Sequence, residues 1–296
     1  MSPFPSNRNL RVGVIGTSSF AEVCHIPGIQ SHPRAEVAAL WGRRLEAARE
    51  MAGKFGIPKA TDDFEALCAD PDIDAITIAS ANVVHASHAI TALKHGKHVF
   101  CEKPLAMNAA EAREMADVAR ASGKIHQVAF TFRYNYGLRE LRRRIAAGDI
   151  GTPFLARIQY DRWDGLAADW KASWREKKES AGAGMLFDLG SHLFDITRHV
   201  LGPIESVVGY THVVPREAPD KVTGEMIRVE TDDLVNAWMR LHGGLRGQFF
   251  ISRVTSPFAQ LGYLEIIGEK GALKASLSRG GVDFLKASNP ADPEWM

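Results

Sequence analysis

The chain has 296 residues, of which 45% are hydrophobic and 24% charged, and this ordinary globular composition argues against a disordered, collagen-like or coiled-coil chain. Its 36 Lys and Arg residues balance 35 Asp and Glu residues, so neither nucleic acid nor an anionic membrane is an expected partner. The three cysteines form no CxxC pair, the N-terminal MSPFPSNRNL has no apolar signal core, and no apolar run approaches the ~18 residues that a membrane span needs. We therefore expect a cytoplasmic protein without disulfides or a cysteine-based zinc site.

Short apolar runs alternate with helical stretches from Leu10 to about Phe130. The predicted strands are LRVGVIG, AEVAALW, DAITIAS, KHVFCE and KIHQVAF. Apolar residues at three- and four-residue spacing predict helices between them, one of which has Asn108 as its N-cap and Glu111 three residues later. Strands that alternate with helices indicate βαβ units and a parallel sheet covered on both faces.

The pattern changes beyond residue 127, where we place the boundary between two domains, residues 1–127 and 128–296. A helix ending near Gly148, a strand in PFLARIQYDRW, a loop over residues 159–181 and a short helix in MLFDLGSHLFDITRHVLG are predicted in turn. The strands that follow at hairpin spacing are SVVGYTHVV, LVNAWMRLH, LRGQFFISRV, YLEIIGE, ALKASL and VDFLKA. The fold class is therefore α/β, with a parallel sheet first and an open, largely antiparallel sheet second.

A glycine turn follows the first predicted strand, in VGVIGTSSFAE. The dinucleotide-binding fingerprint GxGxxG/A falls on Gly16, Ser18 and Ala21, so a serine replaces its second glycine. An ordinary strand–turn–helix junction is the alternative, but a position at the start of a βαβ series favours dinucleotide binding. The residues expected around the pyrophosphate are Gly16, Thr17, Ser18, Ser19 and Phe20.

The end of the second predicted strand carries arginines where NAD-binding proteins usually carry a carboxylate. The sequence there is Leu40-Trp41-Gly42-Arg43-Arg44. Two guanidinium groups could bind the 2′-phosphate of NADP through charge-assisted hydrogen bonds, although both could simply be solvated in the first turn of a helix. We predict NADP as the cofactor, with NAD possible.

Three segments resemble the Gfo/Idh/MocA oxidoreductases, the family of glucose-fructose oxidoreductase and inositol dehydrogenase. They are VGVIGTSSFAEVCHIPGI, HASHAITALKHGKHVFCEKPLA and GAGMLFDLGSHLFD, in the family's order and spacing. The resemblance implies an N-terminal Rossmann domain that binds NAD(P) and a C-terminal domain for substrate binding and oligomerisation. It also implies hydride transfer between nicotinamide and a sugar, polyol or related cyclic hydroxyl compound, in a homodimer or homotetramer.

The sequence departs from the family's pattern in three places. Ser18 stands where most members have glycine, and Ser80-Ala81-Asn82 stands where Thr-Pro-Asn is common. The sequence given also ends soon after VDFLKA, where many relatives continue. The altered glycine motif and the short C-terminal part also fit a non-enzymatic regulator that binds a dinucleotide, and an NAD-dependent glycosidase is a further alternative.

Lys103 follows the predicted strand KHVFCE, within Glu102-Lys103-Pro104. Ligands of parallel α/β sheets lie outside the carboxyl ends of the strands, so we expect this lysine to face the cofactor crevice. A cationic amine there can stabilise the negative charge that develops on a substrate oxygen when hydride leaves its carbon. A surface lysine before a proline is the structural alternative.

Asp188, His192 and Asp195 follow i, i+4, i+7 spacing, which places them on one face of a helix. The resemblance gives His192 the role of base and Asp188 that of substrate ligand, while we expect Asp195 to form a cap or a structural pair. A metal site on Asp188 and His192 is a weaker interpretation, because hydride transfer to nicotinamide needs no Lewis acid; we therefore predict none.

The resemblance also points to residues with less specific signals. It places Asn82 and His85 near the nicotinamide end of the cofactor, with structural capping as the alternative for both. We expect Glu102 to contact the nicotinamide ribose, and Ser80 is a further candidate for cofactor binding. We take Arg133, Trp174 and Arg175 as candidate substrate residues, whereas we interpret His25 as a packing residue of the first helix. An exposed apolar face of the second sheet is expected to form the oligomer interface, and Val235, Trp238, Phe249 and Ile251 lie among its strands.

Overall fold

The computed structural model describes residues 8–256 and 262–277, together with the backbone of residues 285–286 and 294–295. The chain forms two compact units, Met1–Ala129 and Phe130–Met296. The division falls two residues beyond the position at which the sequence pattern changes.

The first unit contains a six-stranded parallel sheet in the order β3-β2-β1-β4-β5-β6, the strand order of a Rossmann domain. Its strands are β1 (Leu10–Ile15), β2 (Ala35–Trp41), β3 (Ala60–Thr61), β4 (Ala75–Ile78), β5 (His98–Cys101) and β6 (His126–Val128). Five of them coincide with predicted strands. The sixth, β3, has only two residues and therefore gives no apolar run by which a sequence could reveal it.

Helical segments connect these strands and cover both faces of the sheet. They are a π-helical turn (Ala21–His25), α1 (Ile26–Gln30), α2 (Leu45–Phe55), α3 (Phe64–Ala69), a 3-10 turn (Asn82–Val84), α4 (His85–Lys94) and α5 (Ala109–Ser122). Ile15 belongs to a buried cluster with Leu93 of α4, and its neighbour Val14 belongs to another with Ile26 of α1. Successive strand residues thus point into opposite layers, as the predicted doubly covered sheet requires.

The predicted cap of α5 is confirmed. Asn108 Oδ1 accepts hydrogen bonds from the backbone N–H groups of Ala110 and Glu111, both at 3.0 Å. Glu111 Oε2 in turn accepts a hydrogen bond from the backbone N–H of Met107 at 3.0 Å. These bonds satisfy donors that the first turn of a helix would otherwise leave unpaired, and so fix where α5 begins.

The second unit contains a six-stranded sheet in the order β14-β13-β7-β12-β11-β8, in which only the β7–β12 pair is parallel. Its strands are β7 (Pro153–Asp161), β8 (Ile204–His212), β11 (Leu234–Leu241), β12 (Arg246–Ser252), β13 (Gly262–Gly268) and β14 (Gly271–Ser276). The predicted open, largely antiparallel sheet is confirmed. Two short hairpin pairs lie outside it: β9 (Glu217–Pro219) with β10 (Met226–Arg228), and β15 (Leu285–Lys286) with β16 (Glu294–Trp295).

The helical segments of the second unit precede most of its strands. They are a 3-10 turn (Thr131–Tyr134), α6 (Tyr136–Ala146), two 3-10 turns (Asp164–Leu166 and Trp174–Glu176), α7 (Lys178–Ala181), a π-helical turn (Leu186–Gly190), α8 (Ser191–Leu201) and a 3-10 turn (His242–Gly244). The predicted loop over residues 159–181 was wrong at both ends, because β7 continues to Asp161 and α7 begins at Lys178.

One face of the second sheet packs against α6 and α8, and the residues that the structure describes leave the other face open. Val235, Phe249 and Ile251 are at most 3% exposed and belong to the core between sheet and helices. Their assignment to the exposed face was wrong, because each occupies the inward parity of its strand. Trp238, at the opposite parity, is 50% exposed and does lie on the open face.

Candidate active site

The glycine turn lies against the end of β4. Gly16 has φ +111°, a conformation that L side chains rarely adopt, and an added Cβ would lie 2.5 Å from the carbonyl oxygen of Ala79. Ser18 Oγ donates a hydrogen bond to that same oxygen at 2.9 Å and accepts one from the backbone N–H of Ala21 at 3.2 Å. The serine that replaces the usual glycine therefore joins the turn to β4 and caps the helical segment after it.

The backbone position and the exposure of residues 16–20 show whether the glycine turn can accommodate a dinucleotide. Gly16 keeps the backbone close to the sheet edge, Thr17 and Ser18 are half-buried, and Ser19 and Phe20 are exposed. A close backbone turn between a first strand and a helical segment is the arrangement that receives a pyrophosphate in Rossmann domains. The residues present in the turn fit a dinucleotide.

Arg43 and Arg44 are exposed where β2 leads into α2, and Arg44 is the residue before the first helical turn. Within the described part of the chain, no carboxylate forms an ion pair with either of them. Their guanidinium groups are therefore available to an anionic ligand at this end of β2.

The loop after β4 is connected to the segment after β5 by His85, which is 1% exposed. Its Nδ1 lies 2.8 Å from the carbonyl oxygen of Pro104, and its Nε2 lies 3.2 Å from that of Ser80. Burial lowers the pKa of His85, although both hydrogen bonds act in the opposite direction. Both ring nitrogens of His85 therefore lie against backbone carbonyl groups in the interior of the unit. The buried Asn82 lies in the 3-10 turn just before it.

Glu102 and Lys103 follow β5 at the same edge of the sheet. Glu102 is 8% exposed, and its Oε1 lies 2.9 Å from Nε2 of the buried His25. Its Oε2 accepts a hydrogen bond from the backbone N–H of Lys103 at 3.2 Å. Sequence analysis predicts only a packing role for His25, because the CHIPGI segment carries no signal for a partner 77 residues further along the chain.

In the second unit, His192 lies at the start of α8 and is 6% exposed. Its ring stacks on Phe132 with centroids 4.5 Å apart, and the ring of Phe130 meets its edge at 5.9 Å. Phe132 also stacks on Tyr160, with centroids 6.3 Å apart. An aromatic stack of this kind fixes the orientation of the imidazole plane.

The segment that carries Asp188 is a π-helical turn, not the continuous α-helix that the spacing predicts. The predicted α-helical periodicity therefore applies only from Ser191 onwards. Asp188 is half-buried, and its Oδ2 lies 3.6 Å from Nη1 of Arg162 at the end of β7. Arg162 is a neighbour of the candidate site that sequence reasoning missed, because it is distant along the chain and belongs to no motif.

Asp232 fixes the start of that segment and was also missed. Its two carboxylate oxygens accept hydrogen bonds from the backbone N–H groups of Gly184 at 2.8 Å and Leu186 at 2.7 Å. A Cβ on Gly184 would lie 2.1 Å from the carbonyl oxygen of Asp232, so only glycine permits this approach. The signal available in the sequence was the second glycine of GAGM, Gly184. The segment that resembles the family contains this glycine, but the resemblance does not show why glycine is needed there.

Asp195 forms the structural pair expected of it, and its partner is the candidate substrate residue Arg133. Two nitrogens of Arg133, Nε and Nη2, donate to the two carboxylate oxygens at 2.7 and 2.5 Å. This bidentate pair holds the guanidinium beside α8, the helix that carries His192. The Arg133 side chain nevertheless remains 47% exposed.

Trp174 and Arg175 lie in a 3-10 turn and contact each other, with the Arg175 guanidinium 4.6 Å from the indole centroid. Glu176 in the same turn binds Arg253 at 2.7 Å, and Arg253 binds the fully buried Asp233 at 2.6 Å. Burial alone would raise the pKa of Asp233, but its ion pairs with arginine lower it. This buried network holds the turn against the ends of β11 and β12.

Two general features bear on the remaining expectations. Among the described residues, no three His, Cys, Asp or Glu side chains lie where they could hold a metal ion together. None of the helices in residues 8–256 and 262–277 is long and apolar enough to cross a membrane. The cytoplasmic location stays a prediction.

The fold and these motifs define an oxidoreductase built on an NAD-binding Rossmann domain. Residues 10–130 match the family model described as "Oxidoreductase family, NAD-binding Rossmann fold", and residues 138–274 match the GFO/IDH/MocA C-terminal domain. The chain therefore belongs to the Gfo/Idh/MocA family, as the resemblance implies. It is an NAD(P)-dependent oxidoreductase.

Several curated and solved proteins are similar to most of the chain. A 1,5-anhydro-D-fructose reductase of Ensifer adhaerens is 32% identical over 89% of this chain and 74% of its own length. A levoglucosan dehydrogenase of Pseudarthrobacter phenanthrenivorans is 30% identical over 96% of this chain and 78% of its own. A solved levoglucosan dehydrogenase in complex with NADH and L-sorbose has a TM-score of 0.87 and 28% identity, covering 97% of this chain and 79% of that one.

The Gly16 turn gives the first testable prediction. Gly16→Ala places a methyl group 2.5 Å from a backbone oxygen at a positive φ, so the turn must move away from β4. We expect dinucleotide affinity to fall at least ~10-fold, with a loss of about 1 kcal/mol or more in stability. Fluorescence titration with the reduced dinucleotide and thermal unfolding measure the two effects.

Gly28→Ala is the matched control, because a Cβ at Gly28 in α1 would meet nothing within 4 Å. Alanine in place of an exposed helical glycine is expected to keep wild-type affinity and to stabilise the helix by up to ~1 kcal/mol. Wild-type dinucleotide affinity in Gly16→Ala would show that the close approach to Ala79 is not required.

Proposed function

We propose that this protein transfers hydride between a nicotinamide dinucleotide and a CH–OH group of a sugar, polyol or related cyclic hydroxyl compound. The observation that carries the proposal is the position of Glu102-Lys103. This pair follows β5 at the sheet edge where the Gly16 turn follows β1, two strands away. The sugar substrates named for the anhydrofructose reductase and the levoglucosan dehydrogenase support the substrate class.

The proposed mechanism uses the amine of Lys103 and the imidazole of His192 in different roles. In the oxidation, His192 accepts the proton of the substrate hydroxyl, while the Lys103 ammonium stabilises the negative charge that develops on the oxygen. A nicotinamide dinucleotide, when bound, would provide the acceptor for the hydride in this direction and its source in the reverse. In the reduction, His192 returns the proton to the new hydroxyl, so protons and electrons balance in both directions.

Asp188 is proposed to bind a substrate hydroxyl. Its carboxylate is half-buried and lies near one guanidinium nitrogen of Arg162, whose other nitrogens bind Asp164 at 2.8 and 2.5 Å. An ionised carboxylate is a strong acceptor for a sugar hydroxyl. Arg133, Trp174 and Arg175 are proposed to contact the more distant hydroxyls of the substrate.

Lys103→Ala tests the proposed mechanism. The substrate is first chosen from a panel of sugars and polyols by the absorbance of reduced nicotinamide. A dehydrogenase changes this absorbance stoichiometrically, whereas a glycosidase that recycles its cofactor causes no net change. We then expect kcat of Lys103→Ala to fall by about 10² to 10⁴, because the charge on the substrate oxygen loses its stabilising cation. The dissociation constant of the cofactor should stay near the wild-type value.

Lys94→Ala is the control for that variant, since Lys94 is an exposed lysine at the end of α4. It should leave both constants unchanged. Turnover of Lys103→Ala within a few-fold of wild type would contradict the proposed role of the amine.

We also propose that the preferred cofactor is NADP, with Arg43 and Arg44 binding its 2′-phosphate. In the double variant Arg43→Ala/Arg44→Ala we expect NADP affinity to fall about 10- to 100-fold, as the loss of charge-assisted hydrogen bonds predicts. NAD affinity should change little, because NAD has no 2′-phosphate. Arg49→Ala, which removes an exposed charge from the same helix α2, is the control. Equal wild-type affinity for NAD and NADP would contradict the preference.

The open face of the second sheet is proposed to bind a second copy of this chain. Val208, Tyr210 and Trp238 share this face, with exposures of 72, 62 and 50%, and Trp238 pairs directly with Val208 across β8 and β11. Exposed aromatic and aliphatic side chains in one patch are typical of an interface, and most oligomers are symmetric assemblies of identical chains.

Sedimentation of Trp238→Glu tests this interface. A buried charge at its centre should convert the wild-type dimer or tetramer into a smaller species at micromolar concentration. Val222→Glu, at an 87% exposed position outside the large sheet, should sediment as wild type. A monomeric wild type, or an unchanged mass for Trp238→Glu, would rule out this face as the interface.

A further inference from the structure

A buried histidine joins the segment after the glycine turn to the segment that carries Lys103. His25 is 7% exposed, and its Nε2 lies 2.9 Å from Glu102 Oε1. Its Nδ1 lies 2.9 Å from the hydroxyl oxygen of Thr77, a 3% exposed residue of β4. One imidazole thus meets a polar side chain of β4 and another that directly follows the neighbouring strand β5.

The local backbone explains how a residue so close to the turn reaches into the sheet. His25 is the last residue of the π-helical turn Ala21–His25, which continues directly into α1. Such single π-turns widen a helix locally and occur frequently at functional sites. The imidazole lies near the rings of Phe20, at 5.6 Å, and Phe100, at 5.8 Å, so apolar neighbours also limit its rotation.

The chemistry of the partners gives the hydrogen bonds a direction. An ionised carboxylate can only accept, so the hydrogen between His25 and Glu102 belongs to Nε2 of the imidazole. In the neutral imidazole Nδ1 is then an acceptor, and the hydroxyl of Thr77 donates to it. Glu102 therefore selects this tautomer, and the Thr77 hydroxyl, which can donate or accept, holds the second ring nitrogen.

These contacts leave Glu102 little freedom. Oε1 accepts from His25, and Oε2 accepts from the backbone N–H of Lys103, so both oxygens are engaged by the protein. The side chain is only 11% exposed. A carboxylate held at both oxygens presents its remaining lone pairs in one direction. The hydrogen bond from the Lys103 backbone to Glu102 also fixes the backbone from which the proposed catalytic amine extends.

We propose that His25 is a positioning residue, which orients Glu102 and the Lys103 backbone for the nicotinamide half of the cofactor. This inference rests on the proposed function, since it takes the cofactor's nicotinamide half to lie at the carboxyl end of β5. It extends that function by giving a role to a buried residue of the helical segment that follows the glycine turn. A packing role alone would instead affect stability and all cofactor fragments equally.

Three variants of His25 separate the two roles. His25→Met keeps the length and apolar contacts of the side chain but removes both ring nitrogens. His25→Gln retains an N–H donor at about the distance of Nε2, so it can restore the bond to Glu102. His95→Met is the matched control, because it removes another His–carboxylate pair, His95 Nε2 with Glu65 Oε1 at 2.7 Å, from the surface of the same domain.

The experiment compares two ligands that need no substrate. The reduced dinucleotide, NADPH or NADH, is titrated by its fluorescence, and ADP, which lacks the nicotinamide riboside, is titrated by displacement of the dinucleotide. For His25→Met we expect dinucleotide affinity to fall about 10- to 100-fold, the effect of losing a charge-assisted hydrogen bond. ADP affinity should stay within about 2-fold of wild type, and His25→Gln should recover most of the dinucleotide affinity.

Each other outcome overturns the inference. An equal loss of ADP and dinucleotide affinity would show that His25 supports the fold of the cofactor domain as a whole. Wild-type affinity for both ligands in His25→Met would show that Glu102 needs no positioning. Failure of the proposed function would look different, since the wild-type protein itself would then bind no dinucleotide or leave the sugar panel unchanged.

Discussion

The neighbouring positions of β1, β4 and β5 in a parallel sheet are the constraint on which the first unit's function depends. Parallel strands end at the same edge, so the residues that follow these three strands meet there whatever their separation along the chain. Gly16 makes the approach possible, because any side chain at this position would collide with Ala79. Ser18, which stands where most family members have glycine, donates a hydrogen bond to the same carbonyl oxygen.

Buried acceptors hold the functional segments in both units. Glu102 binds His25 and the Lys103 backbone in the first unit, and Asp232 binds the backbone that leads to Asp188 in the second. Asp195 holds Arg133 in a bidentate pair, and Asp233 with Glu176 holds Arg253. A buried carboxylate is costly unless its oxygens are satisfied, so each of these groups specifies one arrangement of the segment that it binds.

Much of this could be predicted from the sequence, because it depends on local patterns. The strands of the first sheet, the cap at Asn108 and the open, largely antiparallel second sheet follow from alternation, spacing and turn residues. The faces of β11 and β12 were harder: Phe249 and Phe250 are equally apolar neighbours, and only the register with the adjacent strands shows that Phe249 faces the core. The sequence pattern therefore misplaced Val235, Phe249 and Ile251.

The long-range hydrogen bonds were not predictable in the same way. His25 and Glu102, or Gly184 and Asp232, are far apart along the chain and share no motif spacing. The π-helical turns at Ala21–His25 and Leu186–Gly190 also have no composition signal, yet they alter which way His25 and Asp188 point. Such features depend on tertiary packing, which a single sequence does not specify by periodicity.

We propose that Lys103 and His192 serve the same reacting hydroxyl. A crystal structure of the protein with a nicotinamide dinucleotide and a polyol bound tests it most directly, through the distances from Lys103 Nζ and His192 Nε2 to the substrate oxygens. We predict that both nitrogens lie about 3 Å from one hydroxyl oxygen, next to the nicotinamide ring. A complex in which either nitrogen is out of hydrogen-bond reach of that oxygen would contradict the claim.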